Sequence, residues 1–460
     1  MLRFAIAGAS RARAALALAG ALATASCDPW LGREADHRGD PAGGSASARS
    51  PLAWVWMGAL QPTSAVVRAR LTADGGNPLL LVAEADDFEN PRRFLALRAP
   101  TDPSALTFHV DGLAPGREHH YAVELDGALQ RQLTGRFTTP VDGPFSFTVA
   151  LGACARTGSN HPVFDEIREH RPLLFLHLGD FHYENVSSRD PDEYRRAFDR
   201  VLASPRQSAL YRAVPVAYVW DDHDFAGNDS DRSARGREAA RLVYRELVPH
   251  YPLAQSAADA PIHQAFVLGR VLFVMTDSRS ERTAHLRPDG PRKTMLGDAQ
   301  KAWLLERLSE APRYGLVVWV NTLPWIAPRR PGADHWGGYA AERHEIASFV
   351  AEREIDNLLM LSGDAHMLAI DDGRNNRFAG GREPGFPVLH AAALDRDGSV
   401  KGGPYSSGTF PGGGQYGLMR VADDGGDRIH VEWSGRRHGG GVVVSLERDF
   451  TVPPPARARR

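Results

Sequence analysis

Cysteine is nearly absent from this chain: 460 residues contain two, Cys27 and Cys154. Cys27 closes an N-terminal apolar run, so the body holds a single thiol. That excludes an intramolecular disulfide there and leaves Cys154 as either an inert buried side chain or a ligand. An excess of one charge is also missing. The formal net charge is -2 and the basic residues are scattered, which argues against a nucleic-acid binder that relies on phosphate electrostatics. Long apolar runs are the third absence. The run AALALAGALATAS, residues 14–26, is too short and too rich in alanine to span a bilayer comfortably, and no later segment is long and apolar enough to cross one.

What is present begins with a leader. Arg3, Arg11 and Arg13 precede the apolar run, and residues 1–27 read as an export signal, with a periplasmic or extracellular destination expected. Cys27 resembles a lipid-attachment cysteine, but Thr24 stands where bacterial lipoprotein signals carry Leu, Val or Ile. Lipoprotein processing and ordinary cleavage both stay open, and membrane contact is expected only through such an anchor. Arg11-Ala12-Arg13 is not a twin-arginine pair. Residues 28–50 hold almost nothing apolar and read as a flexible linker, and 451–460 read as a disordered tail.

Residues 51–140 alternate apolar and polar at period two, as in SAVVRARL and HHYAVELDG, with turns at Asp74-Gly75-Gly76 and Ala114-Pro115-Gly116. Strands at this spacing without helices predict a small sandwich of immunoglobulin or fibronectin type, with a covering or spacing role. From 145 to 450 the texture changes to strand and helix in alternation, which predicts a layered α/β domain with its site at the carboxyl ends of the strands. The helix DAQKAWLLERLSEA is given Asp298 as N-cap, and QYGLMRV, RIHVEWSGR and VVVSLER are read as closing antiparallel strands at the sheet edge.

Three apolar strands end in ligand-type residues. LLFLHLGDFHYEN carries Asp180 and Tyr183, AYVWDDHDFAGND carries Asp221, Asp222, His223, Asp224 and Asn228, and LLMLSGDAHML carries Asp364 and His366. Carboxylates crowded this closely stay ionised only in open water or around a cation. A phenolate from Tyr183 and a thiolate from Cys154 suit a trivalent or soft metal. Asp221, Asn228 and Asp364 offer the oxygens that a hard cation prefers. His366 suits either, and two unlike metals would then share Asp180 as a bridge. Taken singly, each residue is a turn former, a cap or a core side chain more often than a ligand. Three strand ends repeating the pattern shift the weight toward one site.

These stretches resemble the alkaline phosphatase D (PhoD-like) family of metallophosphoesterases. The resemblance rests on GAC at Cys154, GDFHYEN at 179–185, WDDHDFAGND at 220–229, TDSRSERT at 276–283, MLGDAQKAWL at 295–304, HWGGYAAER at 335–343 and GDAH at 363–366. It implies a four-layer α/β/β/α phosphoesterase domain preceded by the β-sandwich, with iron (Fe3+) and calcium in the site. By motif match, Cys154, Asp180, Tyr183 and His366 would take the iron, and Asp180, Asp221, Asn228 and Asp364 would surround calcium; other divalent metals stay open. Asn321-Thr322 stands where many dimetal phosphoesterases place a histidine.

The expected chemistry is hydrolysis of phosphate mono- or diesters, with water acidified by the metals to hydroxide for in-line attack on phosphorus. His223 is expected to contact the phosphate or protonate the leaving oxygen, Asp222 or Asp224 to set its tautomer, and Arg156 to hold a phosphate oxygen. Trp325, Trp336 and Tyr339 are the candidate pocket rim. Small phosphate esters, phospholipids and teichoic-type polymers would share such a site. The competing class is a non-catalytic surface binding protein in which calcium stiffens loops; thiolate and phenolate ligands are unnecessary for that role.

Overall fold

The computed structural model describes residues 50–73, 76–381 and 385–454. The export signal, the linker up to residue 49, the turn at Asp74-Gly75 and the tail from residue 455 lie outside the described residues.

Two large sheets form the middle of the molecule. In the first, ten strands run in the order Gly441–Thr451, Arg428–Arg437, Gln415–Ala422, Phe147–Gly152, Leu174–Leu178, Val216–Val219, Leu52–Gly58, Ala65–Leu71, Asp102–Val110, Leu97–Ala99. The second holds seven, in the order Gln264–Leu268, Val271–Met275, Leu316–Val320, Leu358–Ser362, Val388–Ala391, Met367–Asp371, Thr409–Pro411. The closing strands do form the antiparallel edge expected of them, and Gln264–Leu268 with Val271–Met275 is an antiparallel hairpin.

Every residue of the central strands is buried, so periodicity alone does not say which face points where. Packing divides them. Phe273, Met275, Val318, Val320, Leu359 and Leu361 belong to the core shared with the first sheet. Their neighbours Leu272, Val274, Val317, Trp319, Leu358 and Met360 face Leu304 and Leu308 of helix Asp298–Ser309 and Ile346 and Val350 of helix Ala340–Glu352. On the other side, Tyr194, Ala197, Phe198 and Val201 of helix Pro191–Leu202 join the first core at the helical spacing i, i+3, i+4, i+7. Asp190 caps that helix by accepting from Asp192 N at 3.0 Å, and Pro191 takes its first position. The result is four layers, α/β/β/α.

Strand Leu52–Gly58 joins the N-terminal segment to this body. Leu52, Val55 and Met57 enter the sandwich core with Val67, Leu80, Phe108 and Val123, while Trp54 and Trp56 point into the main core. Their indole N–H groups are satisfied there: Trp56 donates to Leu247 O at 2.9 Å and Trp54 to Asp199 Oδ1 at 2.8 Å. Parallel pairing of Gly58 with Val216 makes the sandwich's inner sheet continuous with the ten-stranded sheet. The sandwich's other sheet holds Arg92–Leu95, Pro78–Ala83, Glu118–Leu125, Ala128–Leu129 and Gly135–Thr138.

Asp298 differs from expectation. Gly297, at φ 75°, occupies the cap position, and Asp298 is the first helical residue, where its charge still meets the positive end of the helix.

Candidate metal centre

Four strands deliver side chains to one rim. Phe147–Gly152 leads to Cys154, Leu174–Leu178 to Asp180, Val216–Val219 to Asp221 and Leu358–Ser362 to Asp364. Cys154, Asp180 and Asp364 all adopt left-handed backbone, at φ 62°, 54° and 70°. Such geometry costs a non-glycine residue on the order of 1–3 kcal/mol and persists where the surroundings over-determine it. Glycines make the closure feasible. A Cβ on Gly179 would lie 2.5 Å from Asp221 Cβ, and one on Gly363 would lie 3.0 Å from Ala153 Cβ. Only hydrogen there lets the turns approach.

The ligand-type side chains meet as a result. Tyr183 OH donates to Asp180 Oδ2 at 2.7 Å, and Cys154 Sγ lies 3.4 Å from the same oxygen. His366 Nε2 is 3.2 Å from the Tyr183 hydroxyl. His366 Nδ1 lies 2.6 Å from Asp397 O, a carbonyl that can only accept, so the hydrogen sits on Nδ1 and Nε2 turns a lone pair toward the cluster. Donor atoms of Cys154, Asp180 and His366 all lie within 4.8 Å of one another, and so do those of Asp180, Asp222 and His223. Asp180 is common to both groups.

Asp221 and Asp364 complete the rim. Asp221 Oδ1 accepts from Arg279 Nε at 2.5 Å and from Thr322 Oγ1 at 3.1 Å. Lys401 Nζ donates to Asp364 Oδ1 at 2.6 Å. Three buried carboxylate oxygens, Asp180 Oδ1, Asp221 Oδ2 and Asp364 Oδ2, have no hydrogen-bond partner among the described residues. Burial, then the charges of Asp222, Asp221 and Asp224, drives the Asp180 carboxyl well above the usual range, and burial pushes Asp364 up to about 6. Burial also raises the Cys154 thiol and the Tyr183 phenol, and lowers His366 to about 4, leaving it a neutral donor at neutral pH. Orphaned carboxylate oxygens facing a thiol, a phenol and an imidazole lone pair form a donor set that a cation satisfies, and a bound cation reverses each acid's shift. The residues fit a metal centre.

Other expectations are corrected. Asn228 is exposed, unlike the buried Asp221 and Asp364 beside which it was expected. Arg156, expected on a phosphate oxygen, is exposed and ion-paired with Asp395 at 3.8 Å and Asp397 at 3.9 Å. The partner of His223 is neither Asp222 nor Asp224: its Nδ1 lies 2.5 Å from Asn185 Oδ1. Asp222 instead accepts the backbone N–H groups of His223 and Asp229, each at 2.8 Å. Asp224 braces the turn by accepting from Asp221 N, Phe181 N and the Tyr218 hydroxyl. Trp325, Trp336 and Tyr339 form no rim; all are buried in the core beneath the second sheet.

Three residues at the centre carried no signal of a ligand in the sequence. Arg279, wholly buried, pairs with Asp221 and with Asp334 at 3.0 Å, and lies 3.7 Å from Asp222. Lys401 arrives from a glycine-rich loop, and Arg396 lays its guanidinium 4.1 Å from the Tyr183 ring centre. Of the three, only Arg279 lies in one of the stretches that carry the family resemblance, TDSRSERT.

Known proteins share this arrangement of elements. Alkaline phosphatase D of Bacillus subtilis (strain 168) is 23% identical over 323 residues, which span 60% of this chain and 55% of that relative, about half its length. Among solved structures, one of PhoD superposes with a TM-score of 0.71 at 19% identity, covering 87% of this chain and 88% of that one. Purple acid phosphatase PPD1 from yellow lupin seeds superposes at 0.54 and 12% identity, covering 86% and 73%. At such identities the superpositions speak for the fold. The PhoD-like phosphatase model matches residues 149–386, through the strands and turns that build the metal centre, and the chain belongs to that family.

Proposed function

We propose that this protein is a metal-dependent phosphoesterase that hydrolyses phosphate mono- or diesters. One observation carries the reading: buried, unpartnered oxygens on Asp180, Asp221 and Asp364 converge with Cys154, Tyr183 and His366 at one rim. Structural calcium alone does not call for the thiol and the phenol. Cys154, Asp180, Tyr183 and His366 would hold a ferric ion, and Asp180, Asp221 and Asp364 would hold calcium. Cations bound there supply Lewis acidity and counter-charge, which lower the repulsion between an anionic phosphate and its nucleophile and make water more acidic.

The chain's own groups complete the site. Arg279 and Lys401 are fixed cations that keep Asp221 and Asp364 in register. His223 gives its Nδ1 hydrogen to Asn185, which leaves Nε2 free for a proton, and one ring nitrogen lies within 4.8 Å of carboxylate oxygens of Asp180 and Asp222. Burial lowers its pKa in the resting protein, and an anionic ester beside it restores proton affinity. Water forms the new bond to phosphorus in line with the departing ester oxygen and sheds a proton to solvent, the old P–O bond breaks, and His223 gives that oxygen its proton.

We further propose that the protein works outside the cytoplasm, on the strength of the leader at residues 1–27, with or without a lipid on Cys27. The test is an assay of a nitrophenyl monoester and its bis-ester on metal-replete protein, with a visible spectrum. Turnover that is lost in Asp180→Ala, and a tyrosinate-to-iron absorption that is lost in Tyr183→Phe, are expected. Failure on both esters would sink the phosphoesterase reading, and a colourless active protein holding zinc would sink the iron.

A further inference from the structure

A recess of about 550 Å³ shares Asn185 with the metal centre. Its walls are the turn after Asn185 and one face of helix Pro191–Leu202, on which Glu193, Arg196 and Arg200 stand at i, i+3 and i+7. Arg189 enters from the loop ahead of that helix, and Arg235 from the segment ahead of helix Arg237–Leu247. Four guanidinium groups therefore line one concavity against two carboxylates, Glu184 and Glu193. Glu184 pairs with Arg200. Among the described residues, the side chains of Arg189, Arg196 and Arg235 have neither an ion-pair nor a hydrogen-bond partner.

Cations gathered in a concave, partly shielded space raise the local concentration of anions. The planar fork of arginine matches phosphate oxygens two at a time, a geometry that lysine lacks. The recess begins one hydrogen bond from His223, through the 2.5 Å contact with Asn185. We propose that it is a subsite for a second phosphate, carried by the same ester whose scissile phosphate lies at the metal centre and joined to it by a short linker such as a sugar or glycerol unit. The proposal rests on the phosphoesterase reading and narrows it: the preferred substrates are esters bearing two phosphates.

The experiment compares two chromogenic esters, thymidine 5′-(4-nitrophenyl phosphate) with and without a second phosphate on the 3′ oxygen, using the full metal-replete chain. The doubly phosphorylated ester is expected to show a KM about tenfold lower at low salt, with the advantage shrinking as salt screens exposed charges. In Arg196→Glu and Arg235→Glu the ratio of the two KM values is expected to fall toward one. Arg196→Lys, which keeps the charge but not the fork, is expected to fall between. Turnover of both esters with equal KM in the parent protein, or a ratio that charge reversal leaves intact, would overturn the subsite while leaving the phosphoesterase standing. Turnover of neither by the parent would overturn the subsite, and failure on 4-nitrophenyl phosphate as well would overturn the phosphoesterase. Because the parent's ratio is itself decisive, a variant that fails to fold does not blunt the test.

Discussion

Lys401 Nζ lies 2.6 Å from Asp364 Oδ1, so an ammonium from a glycine-rich loop enters the carboxylate cluster. The loop is fastened nearby by Gly403 N donating to Ile326 O at 2.6 Å. Burial opposes the charge on Lys401, yet Asp364 and Asp222 hold its pKa above the ordinary lysine value. It is therefore a permanent cation. Lys401→Met strips Asp364 of its counter-charge and is expected to lower kcat/KM about 10- to 100-fold, with Lys401→Arg recovering part of it. Steady-state kinetics with the bis-ester decide the matter, and a fully active Lys401→Met would confine Lys401 to surface duty.

Arg279 performs the same service from inside the core. It faces Asp221 at 2.5 Å, Asp334 at 3.0 Å and Asp222 at 3.7 Å, with no exposure of its own. Removing one partner of a buried charge network leaves the others uncompensated, so Arg279→Met is expected to destabilise the protein by about 3–5 kcal/mol. Lysine cannot span three carboxylates with a planar fork, and Arg279→Lys is expected to lose most of the same stability. Denaturant midpoints of the metal-replete proteins provide the measure. A Met variant as stable as its parent would mean that these carboxyls are not charged together.

Part of the acid sensitivity should trace to a histidine that takes no part in the chemistry. His177 is wholly buried among Phe175, Phe181, Tyr211 and Tyr218, and neither ring nitrogen has a partner among the described residues. Burial lowers its pKa from 6.5 to about 3. The unfolded chain binds this proton first, so the stability concerned is complete above 6.5 and drains away as pH falls toward 3. His177→Leu is expected to gain about 3 kcal/mol over the parent at pH 4 relative to neutral pH. Parallel melting curves for the two proteins across that range would contradict this account.

The sequence disclosed the rim better than what stabilises it. Asp180, Asp221 and Asp364 were visible because each follows a continuous apolar strand, a local pattern that survives without tertiary knowledge. Strand and helix alternation likewise foretold the layers. Lys401 and Arg279 were not legible as parts of the centre: a lysine among glycines and an arginine among serines resemble solvated loop residues until the fold brings them to a carboxylate. Trp325, Trp336 and Tyr339 misled for a related reason, since an aromatic residue near a strand end suits a rim and a core equally, and only packing tells which. Strand Leu52–Gly58 shows the same limit, because its tryptophans alternate as a sandwich strand would while serving the core of the neighbouring body.

Asn185 offers the sharpest test of the proton path. Its amide oxygen fixes the hydrogen of His223 on Nδ1, and the ring lies 4.2 Å, centre to centre, from that of Tyr183. Asn185→Asp substitutes a carboxylate at the same place, which favours the imidazolium and raises the pKa of His223. If His223 gives its proton to the leaving oxygen, activity fails on the alkaline side as the imidazolium is lost, and the variant is expected to carry that limb upward by about one pH unit. Asn185→Ala removes the orientation without adding charge, so kcat is expected to fall with no upward movement of the limb. An unmoved alkaline limb in Asn185→Asp, in a protein whose melting temperature matches its parent, would remove His223 from the proton transfer and leave it only the role of holding the ester.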